Sequence, residues 1–336
     1  MKKFRKIAIV GVGPRGGYGF ERLILELSKQ SKLSNLHLTL FEATGNFGNG
    51  QVYDLNQNPS NWLNITERIL ELEAREAIEN DVVTIPSFPS YHQWIQKDFD
   101  NISAKNSDTY PPRAQLGKYL SERFQSLVQP LVQADLVTLY AEKITEVSLQ
   151  KDHKIIIASS TAIHEPFDEL LLTIGHQPTE LSEQIAAWEN YATANSKVAL
   201  FSYPYPVTAY LEHEQLTAES KIGIRGFGLA MIDVVRAIAN KFGRFESTNS
   251  DDQPYSYKSE YEMKSMFMPF SLDGLPPVPK PLNAQVDSWF KPSDASLETF
   301  GAKIGDTATQ KSAASPDFLI MAIAPIVAEV YASLPN

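Results

Sequence analysis

One short segment constrains the fold of this chain more than any other: Ile7-Ala-Ile-Val10 running straight into Gly11-Val-Gly13-Pro14-Arg15-Gly16. The four residues before the glycines form an uninterrupted apolar run, the pattern of a central parallel strand covered on both faces. After the glycines Phe20, Leu23, Ile24 and Leu27 fall at i, i+3, i+4 and i+7, the stripe of a buried helix face. Strand, turn and helix with Gly-x-Gly-x-x-Gly spacing make the fingerprint of a turn that holds a dinucleotide pyrophosphate. Gly11 permits the tight turn, Gly13 lets the backbone approach a phosphate, and Gly16 lets helix and strand pack closely. Pro14 fits the first helical position, where its missing N–H costs nothing. Arg15 lies inside the turn, within reach of a phosphate.

Leu36-His-Leu-Thr-Leu-Phe-Glu42 reads as the second strand of the same βαβ unit, with Glu42 at its end. A carboxylate there accepts hydrogen bonds from ribose hydroxyls and disfavours a 2′-phosphate, so FAD or NAD is expected at this turn rather than NADP.

The pattern recurs once. Lys221-Ile-Gly-Ile-Arg225 reads as a strand, Gly226-Phe-Gly228 as a tight turn, and Leu229 to Asn240 as an apolar helix. Met231 stands where a third glycine would, so this is a degenerate copy. Two such turns on one chain suggest two dinucleotides, an arrangement suited to electron transfer from a nicotinamide to a flavin. Between them, residues 43–64 predict a long loop rich in Gly and Asn, and loops of that length are usually functional or disordered. Residues 80–112 also read as loop, Gln115 to Val132 as a helix, and 136–162 as β-rich with a hairpin turn at Lys151-Asp152-His153. Leu170 to Ile174 reads as a further buried strand and Lys197 to Phe201 as another. Ser/Asp-rich 247–252 reads as irregular, and Pro325 is expected to interrupt a last helix over 316–334.

Composition narrows the chemistry. The chain has no cysteine, which excludes disulfides, thiolate nucleophiles and Cys-based metal sites, so any redox chemistry must be carried by a bound cofactor. A net charge of −10 without a basic block argues against nucleic acid and anionic membrane surfaces as partners. Met1-Lys-Lys-Phe-Arg-Lys6 before a short apolar run faintly mimics a signal peptide, but Pro14-Arg15 cuts the run off. A cytoplasmic location is expected. None of the six histidines has metal-ligand spacing, and no Gly-x-Ser-x-Gly elbow occurs.

The order of these features resembles the bacterial FAD/NAD(P)-binding proteins and, more distantly, flavin-containing and N-hydroxylating monooxygenases. The resemblance is carried by Gly11, Gly13, Gly16 and Glu42, the Gly/Asn loop ending at Leu63-Asn64, Tyr110-Pro-Pro-Arg113, Thr173-Ile-Gly175-His176 and Gly226-Phe-Gly228-Leu229-Ala230. It implies an α/β fold: a Rossmann-like FAD-binding domain with a β-meander over residues 1–195, a Rossmann-like NAD(P)-binding unit over 196–290, and a helical segment over 291–336. It implies an oxidoreductase using FAD and NAD(P)H, and the alternative of a dinucleotide-binding module without turnover.

By the resemblance the first glycines and Glu42 hold the ADP half of FAD. Thr173, Gly175 and His176 end the strand where the chain passes between the dinucleotide units. Gly226, Gly228, Leu229 and Ala230 take the NAD(P)H pyrophosphate, and Asn64 and Arg113 lie toward the flavin. Arg113 is otherwise a partner for one of the chain's acids, and His176 otherwise a hydrogen-bonded loop residue. Arg225, Arg236 and Arg244 flank the second turn and Lys258, Lys264 and Lys280 lie further on; any of them could meet a 2′-phosphate, which leaves NADH and NADPH both open. The chain departs from the pattern at the late strand that ends in Gly-Asp in such flavoproteins: Gly305-Asp306 follows only Ala302-Lys-Ile304. The resemblance therefore reads as a reduced member or as the N-terminal portion of a longer one.

Overall fold

In the computed structural model, which describes residues 4–177, 179–248, 255–306 and 315–335, the opening apolar run becomes an interior strand. Strand β1 (Arg5–Val10) leads into helix α1 (Pro14–Lys29) and strand β2 (Leu36–Phe41). A minimal hairpin, β3 (Ile78–Glu79) and β4 (Thr84–Ile85), and a single turn α2 (Tyr91–Trp94) follow. Then come helix α3 (Arg113–Gln133) and strand β5 (Val137–Tyr140). A three-stranded antiparallel meander is made by β6 (Ile144–Leu149), β7 (Ile155–Ser159) and β8 (Ile163–Phe167), and β9 (Glu169–Leu172) returns to the first sheet. That sheet is parallel throughout, in the order β5-β2-β1-β9.

Alternation along β1 sorts the core into two layers. Ile7 and Ile9 point to the side of α1 and α3, where Phe20, Ile24, Leu127 and Leu131 are buried with them. Ala8 and Val10 point the other way, into a cluster with Phe41, Ile157 and Phe167 under the meander. The Rossmann-like sheet with a β-meander is thus present as the α/β reading expects. Continuing along the chain, helix α4 (Glu183–Ala194) and a short turn α5 (Thr208–Leu211) precede a second parallel pair. There β10 (Ile222–Arg225) runs into α6 (Leu229–Phe242), the hairpin β11 (Arg244–Ser247) and β12 (Tyr255–Lys258) intervenes, and β13 (Phe267–Phe270) lies parallel beside β10.

The chain divides into two compact units. One comprises residues 1–97 and 110–277 and contains everything described so far. The other comprises 98–109 and 278–336, with helices α7 (Ala284–Ser288), α8 (Asp294–Gly305) and α9 (Asp317–Ser333). Its two segments are tied by backbone bonds from Asp108 to Leu282 and from Gln285 to Ala104, both 2.9 Å.

Four expectations change. Leu170 to Ile174 is not a buried strand: β9 is the edge of its sheet among the described residues, and Leu171, Leu172 and Ile174 are exposed. Lys197 to Phe201 forms no strand, because no neighbouring strand pairs with it; Phe201 packs edge-on against Tyr210 and His213 instead. Residues 80–112 are not all loop, since the β4 pair and α2 fall there; α2 is held by a capping box between Ser90 and Gln93. Helix α9 runs through Pro325 unbroken; one lost N–H bond is tolerated where helical residues flank it on both sides. Within the irregular 247–252 stretch, residues 249–252 lie outside the described residues, as do Met1 to Lys3 of the N-terminal basic segment.

Candidate functional site

The first glycine turn is built by crowding. Gly11 has φ +90°, and a Cβ there would lie 2.6 Å from the Thr173 carbonyl oxygen. A Cβ on Gly16 would press into the Gly11 carbonyl and approach Thr173 Oγ1 at 2.8 Å. Thr173 closes the turn: its N–H donates to the Val10 carbonyl at 2.9 Å and its hydroxyl to the Gly11 carbonyl at 2.7 Å. Gly11 N–H donates to the carbonyl of Phe41, at the end of β2, at 2.8 Å. Helix α1 begins at Pro14 with Gly13 as its N-cap and no capping side chain, so its first amides lack a side-chain acceptor, the arrangement that favours an anion. Arg15 is exposed on that turn.

The Gly/Asn loop is the second wall of this turn. Gly48 and Gly50 have φ +87° and +61°. Gly48 N–H donates to the Val12 carbonyl at 2.7 Å, and a Cβ on Gly13 would stand 3.4 Å from Gly50 Cα. A Cβ on Gly48 would meet Leu120 O at 2.9 Å on α3, so the loop is wedged between the turn and that helix. Asn49, buried, donates to the Tyr53 carbonyl at 2.9 Å and fixes the loop's far end. The Gly/Asn richness marked this loop in the sequence, but not that Gly48 and Gly50 would be the two contacts.

Glu42 is buried at the end of β2, its backbone N–H on the Tyr140 carbonyl and its carboxylate accepting from the Thr44 hydroxyl at 3.1 Å. Further along, Ser60 Oγ, Asn61 Oδ1 and Thr66 Oγ1 are buried without a hydrogen-bond partner. Buried polar atoms are nearly always satisfied. Three orphans on the segment that leaves the Gly/Asn loop, with an uncapped helix start and a cradle that a Cβ would fill, fit a bound dinucleotide. Asn64 is exposed on the bend after Leu63.

Arg113 does not stand free. It begins α3, donates through Nε to the Trp62 carbonyl at 3.2 Å, and through Nη2 to Asp233 and the Tyr205 hydroxyl, each at 3.0 Å. Its guanidinium also lies over the Tyr205 ring, 4.9 Å from the centroid. Tyr205 donates to the same Asp233 oxygen at 2.5 Å. Burial, and then the hydrogen bond and charge of Asp233, push the Tyr205 phenol up to about 12. Asp233 is buried on α6, so this node ties the start of α3 to the helix of the second turn. Beside it the Arg236 guanidinium sits 3.5 Å from the Trp62 ring centroid, where burial pulls it below the ordinary guanidinium value. Nothing in the sequence links positions 120 residues apart, such as Arg113 and Asp233.

The second turn has the same hydrogen bond and none of the crowding. Gly226 N–H donates to the carbonyl of Phe270, at the end of β13, at 2.7 Å, and Met231 N–H to the Gly228 carbonyl at 3.0 Å. Gly226 has φ +104°, and no atom lies within 4 Å of a Cβ built on Gly226 or Gly228. Leu229 is exposed and Ala230 half-buried at the start of α6. Gly175, at φ +67°, is likewise open, and His176 beside it is exposed. Of the flanking cations, Arg225 lies over the Trp188 ring and Arg244 pairs with Glu246. Tyr91, Trp94 and Phe88 gather around Tyr119, and Tyr210 is buried whereas Tyr203 is exposed. Among the described residues no group of His, Asp and Glu is arranged to hold a metal, and no helix is long and apolar enough to cross a membrane.

A family model described as FAD-NAD(P)-binding matches residues 8–177, from the first strand to the residue after His176. No curated protein matches the chain. Among solved structures, cyclohexanone monooxygenase from Rhodococcus sp. Phi1 bound to NADP+ is similar over 76% of this chain and 41% of its own, at 12% identity and a TM-score of 0.38. A steroid monooxygenase bound to NADP is similar over 73% of this chain and 40% of its own, at 14% identity and a TM-score of 0.34. The chain thus spans about two fifths of the length of these structures.

Proposed function

The chain belongs to the FAD-NAD(P)-binding family, and from that membership and the two turns we propose an oxidoreductase in which NAD(P)H reduces a bound FAD. In this reading residues 1–195 form the FAD part, 196–290 the nicotinamide part and 291–336 a helical segment. The observation that carries it is the repeated hydrogen bond, Gly11 to Phe41 and Gly226 to Phe270, which builds two strand–turn–helix units. Gly11, Gly13 and Gly16, with Pro14 and Arg15, would hold the first pyrophosphate against the start of α1, and Glu42 would accept from the ribose. Gly48 and Gly50 would close over the same phosphates. Gly226, Gly228, Leu229 and Ala230 would hold the second pyrophosphate at the start of α6. Thr173 keeps the first turn shut, and the Arg113–Asp233–Tyr205 node ties α6 to the start of α3. Asn64, Gly175 and His176 lie on exposed segments where a flavin or nicotinamide ring could be met. The chemistry supplied by the bound pair is hydride transfer from a reduced nicotinamide to a flavin, followed by reaction with oxygen or another acceptor.

A second reading, a dinucleotide-binding module without turnover, is favoured by the edge of β9, which pairs with no further strand among the described residues. Leu171, Leu172 and Ile174 are exposed there, and Gly305 ends helix α8 rather than a strand. The visible spectrum of the purified chain after incubation with FAD and desalting separates the two. Retained flavin bands, bleached by NADH or NADPH under nitrogen, support the oxidoreductase. Retained bands that neither nucleotide bleaches support the module, and a colourless protein overturns FAD binding by this chain.

A further inference from the structure

The repeated hydrogen bond fixes which residues of the two turns correspond. In the first, Gly11 follows β1 and bonds to Phe41, the last residue of β2, with Val10 opposite Phe41 in the register. In the second, Gly226 follows β10 and bonds to Phe270, the last residue of β13, with Arg225 opposite Phe270. Phe41 therefore corresponds to Phe270, and Glu42 to Ser271. Glu42 takes the hydroxyl of Thr44, two residues on. Ser271 gives its hydroxyl to Asp273, two residues on, at 2.9 Å, and accepts from the Gly274 N–H at 2.9 Å. Both strand ends thus carry a carboxylate and a hydroxyl two residues apart, with the roles exchanged. The Ser271 hydroxyl and then the Leu275 N–H hold the exposed Asp273 carboxyl below its usual range, so it is ionised at neutral pH. The cation that the register sets beside this end, Arg225, has its guanidinium over the Trp188 ring.

The end of the second strand of such a unit is where the adenosine ribose is read: a carboxylate suits the free 2′-hydroxyl, and a cation suits a 2′-phosphate. We propose that Ser271 and Asp273 form the ribose-reading pair of the second turn and make this chain select NAD(H) over NADP(H). The inference rests on the nicotinamide reading of that turn and adds its specificity. A 2′-phosphate would meet the Asp273 carboxylate as a like charge, whereas a 2′-hydroxyl would find an acceptor.

The test is calorimetric titration of the FAD-saturated chain with NAD+ and with NADP+, so that binding is read without turnover. NAD+ is expected to bind about tenfold more tightly, the effect of one unfavourable charge contact near the surface. In Asp273→Asn, which removes the charge and keeps a hydrogen-bonding side chain, the ratio should fall to within about threefold, mainly through tighter NADP+ binding. Unchanged thermal unfolding of the variant establishes that its fold is intact. Equal or tighter binding of NADP+ by the natural chain overturns the proposal, as does a ratio that Asp273→Asn leaves unmoved. If neither nucleotide binds, the nicotinamide reading itself falls and takes the preference with it.

Discussion

The two glycine turns are closed by the same backbone bond, yet one is packed and the other bare. A Cβ on Gly11 would clash with the backbone of Thr173 and Ile174, and one on Gly16 with the Gly11 carbonyl and the Thr173 hydroxyl. A Cβ built on Gly226 or Gly228 meets no atom within 4 Å. A glycine can therefore be required for two separate reasons. The first turn needs glycine for the protein's own packing, so its loss damages the fold. At the second, Gly226 needs it for a positive φ, but Gly228, at φ −75°, needs it only if a ligand comes close.

The comparison breaks first beneath α1. Glu21, buried, receives Arg75 at 3.2 Å and Arg123 at 2.6 Å, and the Arg75 side chain is 1% exposed. Glu21→Ala leaves a fully buried guanidinium without its anion and should cost about 4 kcal/mol in urea unfolding. Gly11→Ala combines a strained φ with a clash against Thr173 and should cost about 3 kcal/mol. A Gly226→Ala variant should lose less, because only the conformational penalty applies. Equal losses at the two positions would erase the contrast. Asp233→Ala, which leaves Arg113 and Tyr205 without their shared acceptor, should cost about 2 kcal/mol. A cycle with Arg113→Ala should return a coupling well above the level of an exposed ion pair.

The pH axis offers a subtler check. Tyr91 and Tyr205 hold their protons to about 12 in the fold, the first through burial and the second through burial and Asp233. A free phenol releases its proton near 10, as the unfolded chain would. Stability from these groups is thus fully present below pH 10 and is lost as pH rises toward 12. Burial pushes Tyr119 and Tyr210 up as well, so ultraviolet tyrosinate titration should show at least four late phenols, and Asp233→Asn should advance the one at Tyr205. The smallest effect on stability is the most telling. Gly228→Ala should change unfolding by less than about 0.5 kcal/mol, since nothing is near its Cβ. It should nevertheless weaken NAD+ binding at least tenfold if the backbone there meets a pyrophosphate. Unaltered binding would remove the second turn from the nucleotide site.

Both turns were legible because their signals are local: a short apolar run, glycines at fixed spacing and a 3.6-residue stripe. What lay beyond local reach went astray. Leu170 to Leu172 has the composition of an interior strand, and only sheet order reveals that β9 is an edge. Lys197 to Phe201 has strand propensity and no partner, and a strand needs one. In α9 the helical residues on either side of Pro325 outweigh its local tendency to break a helix. The candidate site was legible as far as Gly11 to Gly16 and Glu42. Ser271 and Asp273 carried no signal until the bond from Gly226 to Phe270 aligned them with Glu42.

Thr173 gives the first turn a history as well as a shape. The hydroxyl that seals Gly11 comes from a residue 162 positions further along the chain. At roughly 5–20 residues per second, a ribosome delivers it about 10–30 s after the glycines have emerged. Helix α1 carries Gly16, Gly17 and Gly19, each costing roughly 0.5–1 kcal/mol of helix propensity, so it has little tendency to form while it waits. A nascent chain therefore displays its fingerprint early and cannot seal the turn that follows β1 until Thr173 has been made.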